Sequence, residues 1–516
     1  MKRAEARTIR IAAVLAALVA AHVLAQTGRD PLAGLQTSIP AAMARWEVPG
    51  LAVAVVKDQK VVFARGFGVR SVTEGGAVDA DTLFGIGSNT KAFTATALGL
   101  LVHEGRLGWD DPVLRYLPEF QMFDPLVTSK ITVRDLLCHR SGLATFAGDL
   151  MAFGSVYDRA EVIRRIRFIE PAYDFRAGFG YSNLMFLVAG QIIPRAGGAS
   201  WDDFVRQRFF IPLGMARSST SLGELLAAAN VAAPHGLIDG KVVPIPHDNV
   251  DNIAPAGAIN SSANDMARWL LLQTGNGSYD GRQMVDPSVI SETRTLHNAI
   301  PVGEAATKLN PWTHFAGYGL GWGLSDYRGR LLVSHTGGLN GMISMVAIVP
   351  EENLGVVVLT NFDTHPLSRA VTNTILDAYL GADDQGWDQR YAGVVQKLRD
   401  RRELERKARD QAHLANPRPS LPLEAYTGRY TSAVFGDAQV TLADGGLKLS
   451  PTPHPGIIGR LDHWQLDTFL CTWSDAVWDQ SLVYFDLDDA GAVTQLRFTV
   501  RPEWLDAKEY VFKRNR

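Results

Sequence analysis

Cysteine is nearly absent. The 516 residues hold only Cys138 and Cys471, in no metal-ligand spacing, and no disulfide is indicated between them. In the apolar run Leu136-Leu137-Cys138 the first reads as a small buried residue, not a nucleophile. An excess of either charge is also missing. Lys and Arg number 51 against 54 Asp and Glu, a formal net charge of -3, and no basic block is sustained. A nucleic-acid partner needs clustered Lys and Arg and is not expected. No Rossmann glycine fingerprint or P-loop occurs, and the histidines are too scattered for a zinc site, so neither cofactor nor metal is expected. Repeats and low-complexity segments are lacking too. Long apolar runs are limited to Ile11–Ala25, too short to span a bilayer comfortably. Lys2, Arg3, Arg7 and Arg10 precede it and Val23-Leu24-Ala25 ends it, so residues 1–25 read as an export signal, cleaved or retained as an anchor. The expected location is periplasmic or secreted, with no membrane span beyond that signal.

What is present suits a globular chain with a sizeable core: 46% hydrophobic and 20% charged residues, and length for two or three domains. An amphipathic helix is expected up to Trp46. Leu51–Lys57 and Lys60–Ala64 read as a hairpin, because so short a link joins only antiparallel strands. Their near-continuous apolar character argues for a sheet covered on both faces. From about Lys91 to Arg268 the pattern is largely helical, with segments at Lys91–Gly105, Arg159–Ile169, Asn183–Ala196 and Trp201–Phe209, short helices near Asp110–Tyr116 and Ile131–Leu137, and Thr132 as an N-cap. Strands return at Arg328–Ser334, Ile343–Val349 and Leu354–Thr360, followed by a helix from Pro366 to Leu380. The fold class is therefore α+β: an antiparallel sheet flanked by helices, with a helical subdomain on one face. Residues 26–381 form this unit. Residues 382–420 read as a charged linker whose run Gln396–Arg409 is a solvated helix face with i,i+4 pairs. From Leu421 to Arg516, short strands between Gly and Asp turns suggest a small, barrel-like β-domain.

Three stretches carry chemistry. Gly85-Ile86-Gly87-Ser88-Asn89-Thr90-Lys91 delivers a serine to a helix start, with a lysine three residues on, on the same face. The free N–H groups and dipole of a helix start favour an alkoxide, and a partly desolvated Lys91 could act as its base. Gly178-Phe179-Gly180-Tyr181-Ser182-Asn183 sets a tyrosine and an amide two residues apart. They either face one cleft or are a core tyrosine followed by an Asn N-cap. Ser334-His335-Thr336-Gly337-Gly338 ends a strand, and paired glycines there admit a substrate backbone. A free N–H there, with that of Ser88, would make a two-donor oxyanion hole. Alone, a histidine at a strand end is more often structural.

In this order and at these separations, the three stretches resemble the serine β-lactamase and penicillin-binding-protein superfamily, in which Ser-x-x-Lys, Tyr-x-Asn and a Lys/His-Thr-Gly strand line one cleft. Tyr181-Ser182-Asn183 looks like the class C branch, which includes family VIII carboxylesterases, D-aminopeptidases and DD-peptidases. Val48-Pro49-Gly50-Leu51, Leu107–Val113, Leu136–Leu143 and Tyr318-Gly319-Leu320-Gly321-Trp322 match that branch too, and the resemblance runs from about Leu32 to Leu380. It implies that Ser88 is acylated, that Lys91 and Tyr181 share base and acid duties, and that Asn183 contacts the substrate amide. It also implies that the N–H groups of Ser88 and Gly338 hold the oxyanion. His335 stands where many relatives carry lysine, and His-x-Gly looks more like D-aminopeptidases. A neutral imidazole anchors a β-lactam carboxylate less well than an ammonium. The β-domain resembles the lipocalin-like modules appended to such peptidases. The implied activity is hydrolysis of amide or ester bonds in a small-molecule or short-peptide substrate through an acyl-serine. Peptidase, esterase and β-lactamase remain open, as does a slow-turnover penicillin-binding sensor.

Overall fold

The structure is a computed structural model and describes residues 30–515, except Thr364, Ala412, Ala415, Asn416, Asp444, Ala476 and 501–508. The export signal expected at residues 1–25 lies outside the described residues.

In chain order, helix α1 (Leu35–Trp46) leads into β1 (Gly50–Lys57), β2 (Lys60–Ser71) and β3 (Gly75–Ala77). The helical part includes α2 (Thr90–His103), α3 (Asn183–Gly197) and α4 (Ala263–Thr274). The chain then returns to the sheet through β4 (Asn298–Ile300), β5 (Ala316–Tyr318), β6 (Gly323–Tyr327), β7 (Arg330–Leu339), β8 (Met342–Val349) and β9 (Leu354–Thr360). Helices α5 (Leu367–Tyr379) and α6 (Trp387–Gln411) follow. The nine strands form one sheet in the order β4-β5-β6-β7-β8-β9-β1-β2-β3. Every pairing in it is antiparallel, with Leu51 opposite Thr360 where the two ends of the unit meet.

β1 shows why its sequence is apolar throughout. Successive side chains of a strand point to opposite faces, and here each face meets its own core. Leu51, Val53 and Val55 pack with Ile39, Trp46, Leu367 and Ile375 of α1 and α5. Ala52, Ala54 and Val56 pack with the helical subdomain, including Phe93, Leu98 and Trp269. The first and last helices of the unit therefore cover one face and the insertion covers the other, as the strand composition implies. Every residue of α2 from Thr90 to Leu101 is buried, as expected of a helix that is apolar all round.

Three features depart from the sequence expectation. β2 runs past the expected end at Ala64 to Ser71, with Gly66 opposing Ala52 and Gly68 opposing Gly50 in the ladder. β7 continues through the His335–Leu339 stretch that was expected to lie beyond the strand end. The charged run is helical as expected, but its helix, α6, begins earlier, at Trp387, runs 25 residues and is anchored by buried Trp387 and Tyr391. Leu423 onward forms a closed eight-stranded barrel in simple up-and-down order, from Gly428–Ser432 to Tyr510–Arg514. Closure leaves no free strand edge. Cys138 and Cys471 are both buried and unpaired, and burial pushes the Cys138 thiol up to about 12.

Candidate active site

A short 3₁₀ turn, Gly87–Asn89, precedes α2 and carries Ser88. Gly87 has φ +51°, a left-handed value that glycine adopts freely. A Cβ on it would stand 2.8 and 3.0 Å from the N and O of Gly338. Those two backbone atoms therefore point across the open edge of β7 towards the serine turn. β6 pairs with β7 only as far as Ser334, which leaves that edge open. Gly337 is equally constrained, since a side chain there would collide with the Ile86 carbonyl. The turn is tied to β8: Asn89 Nδ2 donates to Ser344 Oγ at 2.7 Å, and Ser344 donates to Ile86 O at 2.7 Å.

Lys91 is fully buried. Its Nζ lies 2.9 Å from Ser88 Oγ, 2.6 Å from Asn183 Oδ1 and 2.8 Å from Ala256 O. Burial pulls the amine down to about 7, with the charge of Asp149 acting in the opposite sense. At neutral pH a large fraction is thus the free base, which a proton acceptor requires.

Tyr181 is half-buried, its ring 4.8 Å from Lys91 Nζ, and it lines the same cavity as Ser88. Burial raises the phenol above its ordinary value, so it is a neutral hydroxyl at rest. The N-cap reading is assigned to a different residue than expected. Ser182 caps α3, accepting from Met185 N–H at 3.3 Å, which releases the Asn183 amide for the site. Asn183 accepts from Lys91 through Oδ1 and donates through Nδ2 to Asp149 Oδ2 at 2.7 Å.

His335 is buried, and both ring nitrogens are engaged: Nδ1 with Thr336 O at 2.6 Å and Nε2 with the Tyr318 hydroxyl at 2.7 Å. The carbonyl can only accept, which assigns the proton to Nδ1 and leaves Nε2 to accept from Tyr318. Burial, and then Lys91, pull the imidazole down to about 3, so the third stretch presents no cation. Thr336, exposed, and Gly338 line the cleft beside it, with Gly337 between them packed against Ile86.

The structure therefore brings Ser88, Lys91, Tyr181, Asn183, His335, Thr336 and Gly338 to one place. It adds three residues to which sequence reasoning gave no role, two of them, His139 and Tyr318, within stretches already singled out. Asp149 is wholly buried against Asn183; its one trace in the sequence is an acid inside Ala147-Gly148-Asp149-Leu150-Met151, otherwise apolar. Tyr318 holds His335. His139, at φ +60°, accepts from Ser182 N–H at 3.0 Å through Nδ1 and lies tilted against the Tyr181 ring, with centroids 4.2 Å apart. Burial keeps it far below the usual imidazole value.

Ser88 opens onto a cavity of about 650 Å³. Its lining includes Tyr181, Asn183, His335 and Gly338, together with Phe146, Leu150 and residues of the C-terminal barrel. No Lys or Arg is among its described lining residues, whereas Asp248 and Asp475 are.

Residues 35–380 match the Beta-lactamase family model. The chain belongs to the beta-lactamase family. Residues 412–514 match a domain of unknown function, DUF3471. The unguisins hydrolase ungD of Aspergillus violaceofuscus is 29% identical over 467 residues, covering 82% of this chain and 79% of that protein. Penicillin-binding protein 4 of Amycolatopsis lactamdurans is 30% identical over 331 residues, covering 61% of this chain and 81% of that one. Among solved structures, the octameric penicillin-binding protein homologue from Pyrococcus abyssi covers 93% of this chain and 100% of its own, with TM-score 0.61 and 24% identity, and so shares the fold. The family is one of serine hydrolases and penicillin-binding proteins, and its match covers all three chemical stretches.

Proposed function

We propose that the protein is an exported serine hydrolase of the class C-related branch, cleaving amide or ester bonds through an acyl-Ser88 intermediate. A peptidase of D-aminopeptidase type is the first reading. The observation that carries the proposal is Lys91: fully buried, with Nζ 2.9 Å from Ser88 Oγ and drawn down to about 7. In this mechanism Ser88 Oγ attacks the scissile carbonyl and its proton passes to neutral Lys91. The N–H groups of Ser88 and Gly338 receive the oxyanion, at about 3–4 kcal/mol per donor. Tyr181 relays the proton to the departing amine or alcohol as its bond to the acyl carbon breaks. Water then attacks the acyl-serine, giving its proton back along the same path, and the acid leaves. Asn183 holds Lys91 in place through Oδ1 and lines the cavity beside Ser88.

Two observations favour peptidase or esterase over β-lactamase. His335 is neutral, and the charged side chains on the described cavity lining are carboxylates; both disfavour a substrate carboxylate. The relative matched over 82% of this chain is named a hydrolase, which supports turnover over a slow sensor.

The test is a steady-state comparison of D-amino-acid p-nitroanilides, p-nitrophenyl esters and nitrocefin, for wild type and Ser88→Ala. Ser88-dependent cleavage of the first two, well above nitrocefin, is expected. Identical background rates for both proteins on all three sink the proposal. A Ser88 adduct that persists for hours without turnover replaces it with the sensor reading.

A further inference from the structure

The barrel is part of the active-site cavity. Two of its loops reach the space in front of Ser88, one presenting His454, Pro455 and Ile457, the other Asp475, Val477 and Trp478. These loops are held in place. Ser474 N–H donates to Ile458 O at 2.7 Å and Ile458 N–H to Ser474 Oγ at 2.9 Å, lacing one loop to the other. Trp478 packs edge-on against His454 and Trp473, with centroids 5.1 and 5.0 Å apart. Facing them, the catalytic unit grips the barrel. Val156 N–H donates to Pro453 O at 2.9 Å, His454 Nε2 lies 3.0 Å from Leu150 O, and the Leu150 side chain is buried in the barrel's own core.

The chemistry of this wall is specific. Ile457 and Val477 are half-buried at the cavity, so apolar surface remains for a ligand to cover. His454, drawn down to about 4 by burial, is neutral. The wall's charge is Asp475, whose Oδ1 accepts from Val477 N–H at 2.8 Å. Across the cavity Asp248 binds Asn340 through both oxygens, at 2.7 and 2.6 Å. A space of about 650 Å³ falls within the range that holds a drug-sized ligand.

We propose that this barrel wall is the substrate-selecting subsite of the enzyme: Ile457, Val477 and Trp478 receive the apolar flank of the acyl group, and Asp475 excludes acyl groups that carry a carboxylate. The substrate class is thus an apolar, carboxylate-free amide or ester, neutral or bearing an amine. This rests on the hydrolase reading above and extends it by giving the barrel a role in choosing the substrate.

The test uses the full chain and the p-nitrophenyl esters of acetic, hexanoic and succinic acids. In Ile457→Ala and Trp478→Ala the preference in kcat/KM for hexanoate over acetate falls by roughly tenfold, the scale of a few lost methylene contacts. Trp478→Phe keeps most of that preference. Asp475→Asn, which retains the acceptor for Val477 N–H, narrows the discrimination between hexanoate and succinate. Far-UV circular dichroism and fluorophosphonate labelling of Ser88 show which variants are folded, and the half-buried Ile457 supplies a variant with little structural cost. Ser88-dependent hydrolysis with both ratios unchanged to within about twofold in every folded variant overturns the subsite and leaves the hydrolase intact. Equal rates for wild type and Ser88→Ala overturn both.

Discussion

Asp149 and Asn183 share a buried hydrogen bond of 2.7 Å, and Asn183 passes it on to Lys91 at 2.6 Å. The carboxylate fixes which end of the amide faces the lysine: Nδ2 must donate to Asp149, so Oδ1 is left to accept from Nζ. Asp149 also opposes the fall in the lysine's pKa. It acts on the catalytic base through position and charge without touching the serine.

Asp149→Asn separates those two roles. The new amide oxygen still accepts from Asn183, so the geometry is kept while the negative charge is lost. The acid limb of kcat/KM against pH is then expected to move below its wild-type position near 7, with a lower plateau from a weaker base. Asp149→Ala instead strands Asn183 Nδ2 in the interior and costs about 1–3 kcal/mol of stability, read from the urea midpoint. An unmoved limb in Asp149→Asn removes Asp149 from the electrostatics of the site.

The wild-type pH profile is itself a prediction. Lys91, at about 7, must be neutral to take the Ser88 proton, so kcat/KM rises through pH 7 and then levels. His335, at about 3, and His139, lower than usual, are neutral across that range and add no limb near 6. His335→Gln lowers the rate by disturbing Tyr318 and β7 but leaves the midpoint in place. A limb that disappears in that variant identifies the histidine, not the lysine, as the titrating base.

The sheet, its two covered faces and the three chemical stretches were legible because each leaves a local trace: apolar runs, a glycine turn, a short motif. The edge strand β4 and its neighbour β5 were not, at three residues apiece. The continuation of β7 was hidden by Gly337 and Gly338, whose weak strand preference is overridden by pairing with Ser344 and Ile343. Asp149 was invisible for a different reason. Its partner lies 34 positions away, and only the packing of its turn against the start of α3 joins them. The barrel's place at the cleft was equally closed to sequence reading, since it depends on long-range packing such as that of Leu150 in the barrel's core.

Burial of Lys91 also bears on stability, with a definite sign. Its folded pKa, about 7, is below the unfolded value of 10.5, so between those values the unfolded chain holds more protons and stability rises with pH. Below pH 7 both states are protonated and the full cost of burying the cation remains. Lys91→Met removes this dependence. Between pH 7 and 9, wild type gains roughly 2 kcal/mol relative to the variant, measured as the change in the gap between their urea midpoints. A constant gap across that range means that the lysine is not desolvated as described.

Leu150 is the peg that joins the two units. It follows Asp149 directly, yet its side chain is only 3% exposed, within the barrel's core cluster, while its carbonyl meets His454. One 3₁₀ turn, Asp149–Met151, thus sends a carboxylate inward to the catalytic base and an apolar side chain outward into the barrel. Leu150→Ala empties the peg and costs about 2–5 kcal/mol, as for other buried leucines, seen as a fall in the unfolding midpoint. The loss extends to catalysis, because a loosened turn no longer holds Asp149 against Asn183: kcat falls, and the acid limb shifts in the direction of Asp149→Asn. Leu150→Met fills the same space with less shape loss and restores most of both. If Leu150→Ala lowers the midpoint but leaves kcat and the limb untouched, the barrel is docked to the catalytic unit without being coupled to its base.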